Sequence, residues 1–109
     1  MDGPHILVVR LGSIGDIVHT LPAAATLKHS FPGADLAWIV DPRWAEVLEG
    51  NPFIDHLILF NRRSTRTVRE AWRQLRRVRF DFAVDFQGLV QSALIASLAR
   101  PDRLFGFHQ

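Results

Sequence analysis

The chain has 109 residues, of which 48% are hydrophobic, and a formal net charge of +2 at pH 7. This length fits one domain with its own core, and the longest apolar runs are far shorter than the roughly 20 residues that cross a bilayer. The chain contains no cysteine, which excludes disulfides and thiolate metal sites and makes the cytoplasm the expected location.

Strands and helices are predicted to alternate along the whole chain. The predicted strands are 5–10, 34–40, 54–60, 81–86 and 103–107. The predicted helices are 16–30, 41–49, 65–79 and 89–99. Within the first helix Pro22 interrupts the pattern, and Thr20 is expected to cap a restarted helix. The alternation predicts an α/β, Rossmann-like, doubly wound fold, with a parallel sheet, helices on both faces and right-handed crossovers.

The first predicted strand leads into the turn Gly12-Ser13-Ile14-Gly15, with Asp16 where the first helix is expected to begin. The turn matches neither the G-x-G-x-x-G fingerprint nor a P-loop, although N–H groups at a helix start can bind a phosphate or carboxylate. Asp16 follows the carboxyl end of a strand, where open α/β sheets bind ligands. Aspartate there is also a good helix N-cap, and the helix dipole keeps it ionised and a weak base. Capping and proton transfer both remain open at this point.

The carboxyl ends of parallel strands share one edge of a sheet. Four segments are expected to meet there, namely 11–16, 41–44, 61–66 and 86–88. One acid (Asp16), one amide (Gln87) and two cations (Arg62 and Arg63) would then face a crevice suited to an anionic ligand with hydroxyl groups. His19 shares a helix face with Asp16 and is expected to line that face rather than to be a catalytic partner. No histidine or carboxylate pair has convincing metal-ligand spacing, so no metal site is predicted.

Eight of the twelve arginines lie between positions 62 and 79, with Glu70 as the only acid among them. At about 100° per residue, the predicted helix 65–79 has an arginine face and an apolar face, and Trp72 and Leu75 are predicted to pack inward. The arginine face is either a solvated surface or a patch for lipid headgroups or nucleic acid. We expect no exposed aromatic residues among the arginines, which argues against binding of single-stranded nucleic acid.

Two segments resemble motifs of the lipopolysaccharide heptosyltransferases. The first covers residues 6–23 and includes G-D-I-V-H-T-L-P at 15–22, and the second is D-F-Q-G-L-V-Q-S-A at 85–93. The closing R-L-F-G-F at 103–107 is also similar to the family. The D-x-Q-G-L form is more similar to the type I enzymes, which add the first heptose, than to the type II enzymes.

The resemblance implies a GT-B glycosyltransferase, in which the active site lies between two Rossmann-like domains. Residues 1–109 would be a truncated N-terminal domain, which holds a Kdo-lipid A acceptor, while a C-terminal domain absent from these residues mainly binds the donor ADP-heptose. The implied reaction is inverting and independent of metals and cofactors, with Asp16 as the general base that takes a proton from a Kdo hydroxyl as ADP leaves. The residues expected to bind substrate are Ser13, Gly15, His19, Arg62, Arg63, Arg66 and Gln87.

Other classes of function fit the sequence less well. A receiver-type signalling module would need an acidic cluster at the strand ends and a lysine on a late strand, whereas the only lysine, Lys28, lies in the first predicted helix. The alternative to the transferase is a non-catalytic anion-binding module that uses the arginine helix. With the transferase favoured, we expect no nucleic acid partner, and we expect peripheral contact with the anionic inner face of the inner membrane. The chain ends directly after a predicted strand, so we expect it to be the leading part of a larger protein and inactive alone.

Overall fold

A computed structural model describes residues 3–87 and 101–106. Five parallel strands form one sheet in the order β3-β2-β1-β4-β5. The strands are β1 (His5–Val9), β2 (Asp35–Val40), β3 (His56–Leu59), β4 (Phe82–Asp85) and β5 (Arg103–Gly106). The helices are α1 (Ile14–Ser30), a 3₁₀ turn (Pro42–Trp44) followed by α2 (Ala45–Leu48), and α3 (Thr65–Arg77). The predicted α/β fold is confirmed, while the predicted helix 89–99 lies outside the described residues.

Helices cover both faces of the sheet, and the central strands are apolar on both sides for this reason. On one face, α1 and α2 pack against a cluster that includes Val8, Leu36 and Trp38. On the other face, α3 packs against a cluster that includes Leu7 and Ile39. The Trp38 ring is fully buried, and its Nε1 donates a hydrogen bond of 2.9 Å to the backbone oxygen of Arg10. Burial of one such large side chain stabilises the fold by about 1.5–3 kcal/mol.

Helix α1 runs through Pro22 without a break, so the predicted restart with Thr20 as a cap is wrong. Thr20 is a buried residue of the helix interior, and its hydroxyl donates to the backbone oxygen of Asp16 at 2.7 Å. Pro22 removes the hydrogen bond that its own N–H would donate to Val18. Because Val18 lies on the exposed side of α1, water can bond its freed carbonyl there.

Helix α3 packs on the sheet through Ala71 and Leu75, which are buried as expected for an inward face. Trp72, in contrast, is exposed, so the prediction that it packs inward is wrong. It lies where the apolar face meets the arginine face, and the guanidinium of Arg76 stacks over it, 5.2 Å from the ring centroid. An aromatic residue is therefore exposed among the arginines, which removes the argument against nucleic acid that assumed none.

At the amino edge of the sheet, Asp55 links α1 to two strands. Its Oδ2 accepts hydrogen bonds from the Leu36 N–H at 2.8 Å and from Lys28 Nζ at 2.7 Å. Burial raises the pKa of Asp55, but these two hydrogen bonds and the charge of Lys28 outweigh it, so the pKa lies below its usual value.

None of the helices within 3–87 and 101–106 has the length and apolar character needed to cross a membrane.

Candidate active site

The carboxyl ends of β1 to β4 open into a cleft of about 920 Å³. The loops that follow these four strands contribute its walls. The lining residues are Leu11, Gly12, Ser13, Asp16, Asp41, Arg43, Trp44, Phe60, Asn61, Arg62, Arg63 and Gln87. The four segments predicted to meet at this edge therefore do meet, and they bring Ser13, Asp16, Gln87 and the two arginines after β3 to one place.

Three of the residues expected to bind substrate are not among the cleft walls. Gly15 and His19 are exposed on the first turns of α1, and Arg66 is exposed on the first turn of α3. His19 is exposed on α1, but of His19 and Asp16 only Asp16 lines the cleft. For these three residues, substrate binding stays a prediction.

The first turn of α1 places Asp16 differently from the expectation. The helix begins at Ile14, so Ser13 is the N-cap and Asp16 is the third helical residue rather than the cap. The Asp16 Oδ2 accepts hydrogen bonds from the Ser13 N–H at 3.4 Å and from the Ser13 hydroxyl at 3.3 Å. The spacing S-x-x-D is that of a capping box, in which an acid in the first turn reaches back to the cap residue. Asp16 thus stabilises the helix start while its side chain stays at the cleft.

Arg10 is a site residue that sequence reasoning missed. Its side chain is only 4% exposed, and one terminal nitrogen lies 2.9 Å from Asp16 Oδ1, whereas the Asp16 side chain is 48% exposed. The other terminal nitrogen donates to the backbone oxygen of Phe86. The charge of Arg10 is the largest influence on the pKa of Asp16 and lowers it; loss of solvent opposes this shift, and hydrogen bonds from Ser13 add to it. Asp16 is therefore ionised at neutral pH and open to solvent.

The signal for Arg10 was its place in the sequence, since a charged residue directly follows the buried run Ile6–Val9. The guanidinium of an arginine at that point is buried away from solvent, so it needs an anion or a carbonyl oxygen nearby as a partner. Its partner Phe86 is 76 residues away in sequence. That distance explains why local patterns did not reveal the pairing.

Gln87 fixes the glycine turn to the loop after β4. Its Oε1 accepts a hydrogen bond from the Leu11 N–H at 3.0 Å and a longer one from the Gly12 N–H at 3.5 Å. Its own backbone N–H donates to Asp85 Oδ1 at 2.9 Å. Gln87 thus lines the cleft and also holds the turn that carries Asp16.

The opposite wall of the cleft is basic. Asn61 orders the loop after β3, because its Oδ1 accepts from the Arg63 N–H at 2.9 Å and its backbone bonds to the Thr67 hydroxyl. Arg62 and Arg63 themselves are exposed, and neither forms an ion pair with another residue of the described ranges. Two available guanidinium groups therefore face the same cleft as the ionised Asp16. Such groups suit a phosphate or carboxylate, which they can bind through two parallel hydrogen bonds.

Gly12 and Trp44 form a close contact in the wall between these two sides. A Cβ added at Gly12 would lie 2.9 Å from Trp44 Nε1 and 3.1 Å from its Cδ1, so only glycine fits without moving the indole. Arg43 stacks on the same indole, 5.4 Å from the ring centroid, and is paired with Asp41 at 3.3 Å. Arg43 therefore has its own ion-pair partner in the cleft, whereas Arg62 and Arg63 have none among the described residues.

Several proteins are similar in sequence to the chain. The chain is 34% identical over 99 residues to lipopolysaccharide heptosyltransferase 1 of Pseudomonas aeruginosa, a match that covers 82% of the chain and 28% of that protein. With lipopolysaccharide heptosyltransferase 1 of Escherichia coli it shares 29% identity over 103 residues, which covers 85% of the chain and 32% of that protein. The chain thus spans about a third of the length of these relatives. No family model matches it.

Solved structures give the same result. The chain superposes on Escherichia coli heptosyltransferase WaaC with ADP at a TM-score of 0.82 and 27% identity, over 94% of the chain and 34% of that structure. A glycosyl transferase family 9 structure from Veillonella parvula has a TM-score of 0.84 at 22% identity, over 95% of the chain and 32% of that structure, and shows the shared fold. The resemblance predicted from the two motifs is confirmed: the chain is homologous to part of the lipopolysaccharide heptosyltransferases.

Proposed function

We propose that the chain provides the acceptor side and the catalytic base of a heptosyltransferase. In this proposal, heptose passes from ADP-heptose to the Kdo-lipid A inner core of lipopolysaccharide. The observation that carries the proposal is the pairing of Asp16 with the buried Arg10 at 2.9 Å, at the mouth of a cleft with two available cations. The kinship with lipopolysaccharide heptosyltransferases supports the choice of sugar.

The proposed chemistry is a single displacement. The acceptor hydroxyl oxygen bonds to the anomeric carbon of the heptose as the bond from that carbon to the diphosphate oxygen breaks. ADP leaves with that electron pair, and a carboxylate oxygen of Asp16 takes the hydroxyl proton. Attack opposite to the leaving group inverts the anomeric configuration, and no covalent enzyme intermediate forms.

The lowered pKa of Asp16 determines when the proton moves. A carboxylate held ionised by Arg10 is a weak base, so it removes the proton late, when the attacking oxygen has already become acidic. Arg10 and Ser13 each engage one carboxylate oxygen. A carboxylate has about four lone-pair sites; Arg10 fills one of them and the N–H and hydroxyl of Ser13 fill two, so about one remains for the acceptor. Arg10 and Ser13 are thus positioning residues for the proposed base.

The acceptor is proposed to bind through its anionic groups. Arg62 and Arg63 face the cleft without an ion-pair partner among the described residues, so a phosphate or Kdo carboxylate can occupy them without displacing another anion. Escherichia coli WaaC has been solved with ADP and with ADP-2-deoxy-2-fluoro heptose, which supports a nucleotide-sugar donor. We propose that the donor binds mainly outside these 109 residues and that the reaction uses no metal ion or cofactor.

The test compares two carboxylates of the same cleft in the full-length protein. Asp16→Asn removes the base, and we expect heptose transfer from ADP-heptose to fall about 10²–10⁴-fold with acceptor binding retained. Asp41→Asn is the matched control, because asparagine caps a helix as well as aspartate does while losing the charge. A near wild-type rate for Asp16→Asn, or an equal loss in both variants, would contradict the proposed base.

A further inference from the structure

We propose that α3 docks the protein on an anionic bilayer surface, with Trp72 as the anchor in the headgroup layer. Arg69, Arg73 and Arg76 are the cations that face the lipid. This inference concerns a surface outside the cleft and goes beyond heptose transfer. It rests on three observations: an exposed indole, a concentration of positive charge around it, and the rigid seating of the helix that presents both.

The exposed apolar side chains of α3 form one stripe. Trp72 is 45% exposed and Val68 is 38% exposed, and they lie four residues apart, which places them on neighbouring turns of one side of the helix. Ala71 and Leu75, on the adjacent side, are buried against the sheet and hold the helix in place. The stripe is therefore a fixed feature of the surface. Tryptophan is enriched at the membrane–water interface because one end of its ring system is apolar and the other is polar.

Positive charge is concentrated on the same helix. Helix α3 contains five arginines against one glutamate, a net charge of +4, while the whole chain carries only +2. The single acid, Glu70, pairs with Arg73 at 3.2 Å. Within the described part of the chain, Arg69 and Arg76 form no ion pair. A surface of this kind is attracted to the negative potential of anionic lipids, by about fivefold in partitioning for each arginine near the membrane.

The arrangement of Trp72 favours lipid over nucleic acid. A base stacks on a free ring face, and the Arg76 guanidinium already covers one face of Trp72, 5.2 Å from the centroid, so only the other face is left for stacking. In a headgroup layer the same pair is well placed, because the ring enters the apolar boundary while the guanidinium stays among phosphates. The partner chemistry is therefore an extended anionic surface with an apolar layer beneath it.

The docking surface also continues into the cleft. Helix α3 starts just after Arg62 and Arg63, and Trp72 lies seven residues beyond Thr65, about 10 Å along the helix axis. A membrane-borne acceptor could then present its anionic groups to the cleft while α3 stays on the bilayer. This last step rests on the proposed function, whereas the docking itself does not.

The experiment measures binding of the full-length protein to phosphatidylcholine vesicles with and without phosphatidylglycerol. We expect binding only with the anionic lipid, weakened by salt. Trp72→Ala should weaken it roughly tenfold, and the double variant Arg69→Gln, Arg73→Gln roughly 25-fold. The controls are Phe105→Ala, an aromatic residue also 45% exposed, and Arg103→Gln, an exposed arginine, both on β5 and both expected to bind as wild type does.

A second readout follows the indole itself. Trp72→Phe should remove a vesicle-induced blue shift of tryptophan fluorescence that the wild-type protein shows. Equal binding to neutral and anionic vesicles, equal losses in the α3 and β5 variants, or α3-dependent binding to duplex DNA without vesicle binding would each overturn the proposal. The outcome is separable from the transferase test, because Asp16→Asn should bind vesicles as wild type does and Trp72→Ala should transfer heptose normally to an acceptor in detergent micelles.

Discussion

Asp16 and Asp55 are both carboxylates with a lowered pKa, but they lie at opposite edges of the sheet and in different surroundings. Asp55 is bonded to Lys28 and to the backbone of Leu36, and so joins α1 to the sheet. Asp16 forms an ion pair with the buried Arg10, and its side chain is exposed to a cleft. A lowered pKa therefore does not identify a functional carboxylate. What distinguishes Asp16 is exposure to a cleft that also holds two arginines without an ion-pair partner among residues 3–87 and 101–106.

The difference between Asp16 and Asp55 is tested most severely by replacing each of them with asparagine. Asp16→Asn should reduce heptose transfer per folded molecule by about 10²–10⁴-fold, and it should also lower the thermal stability, because it removes the charge that pairs with the buried Arg10 and weakens the capping box with Ser13. Asp55→Asn should leave the rate per folded molecule unchanged, because its contacts lie at the other edge of the sheet. Steady-state kinetics on protein of known folded fraction measures both. A rate loss of the same size in Asp55→Asn would contradict the claim that only the carboxylate at the cleft acts in heptose transfer.

The basic wall of the cleft gives the next largest effect. Replacing both Arg62 and Arg63 by alanine should raise the KM for the acceptor by about 10–100-fold, since each charge-assisted hydrogen bond contributes about 1.5–3 kcal/mol and solvent exposure reduces this. The kcat at saturating acceptor should change less. Arg79→Ala is the control, because Arg79 is exposed and pairs with Asp102 away from the cleft. An unchanged KM in the double variant would remove these arginines from the acceptor site.

The free energy of unfolding should depend on Asp55, at the amino edge of the sheet. Asp55→Asn is expected to lower the free energy of unfolding by about 1–2 kcal/mol near pH 7, through weakened hydrogen bonds to Lys28 and Leu36. Because the folded pKa of Asp55 is depressed, its contribution is present above the usual carboxyl pKa and is lost as pH falls through the folded value. The difference between wild type and variant in urea unfolding should therefore shrink below about pH 4. A difference that grows on acidification would contradict the assigned shift.

The smallest expected change in stability distinguishes Gly12 from Gly15, two glycines of the same turn. Gly12→Ala should destabilise the fold by about 1 kcal/mol, because the added Cβ displaces the Trp44 indole. Gly15→Ala meets no atom within 4 Å among the described residues and lies in the first turn of α1, so it should stabilise by about 0.5 kcal/mol. Thermal unfolding of both variants checks the opposite signs. Equal shifts would mean that Gly12 is not constrained by Trp44.

The order of strands and helices was predictable from sequence because each element has its own hydrophobic period. The convergence of Asp16, Gln87, Arg62 and Arg63 followed from the rule that parallel strands share a carboxyl edge. The exposure of Trp72 could not be predicted, because periodicity gives the direction of a side chain and not how far the neighbouring layer extends. Arg10 was missed because its place at the end of a strand does not show that its side chain reaches Asp16, and because its other partner, Phe86, is 76 residues distant.

The continuity of α1 through Pro22 was missed for a related reason. A proline inside a helix costs about 3 kcal/mol, through the lost hydrogen bond and the clash of its ring with the carbonyl four residues earlier, and local sequence does not tell whether packing of the rest of the helix outweighs that cost. Here Val18 lies on the exposed side of the helix. Packing of the rest of α1 then outweighs the lost hydrogen bond.

The pH dependence of kcat/KM in two Arg10 variants of the full-length protein tests the central claim most directly. If the charge of Arg10 keeps Asp16 ionised as the base, Arg10→Gln should move the acidic limb of the profile to higher pH, because the pKa of Asp16 rises once that charge is gone. Arg10→Lys keeps a positive charge at the same place and should leave the limb near its wild-type position. An acidic limb at the same pH in both variants and in the wild type would contradict the account.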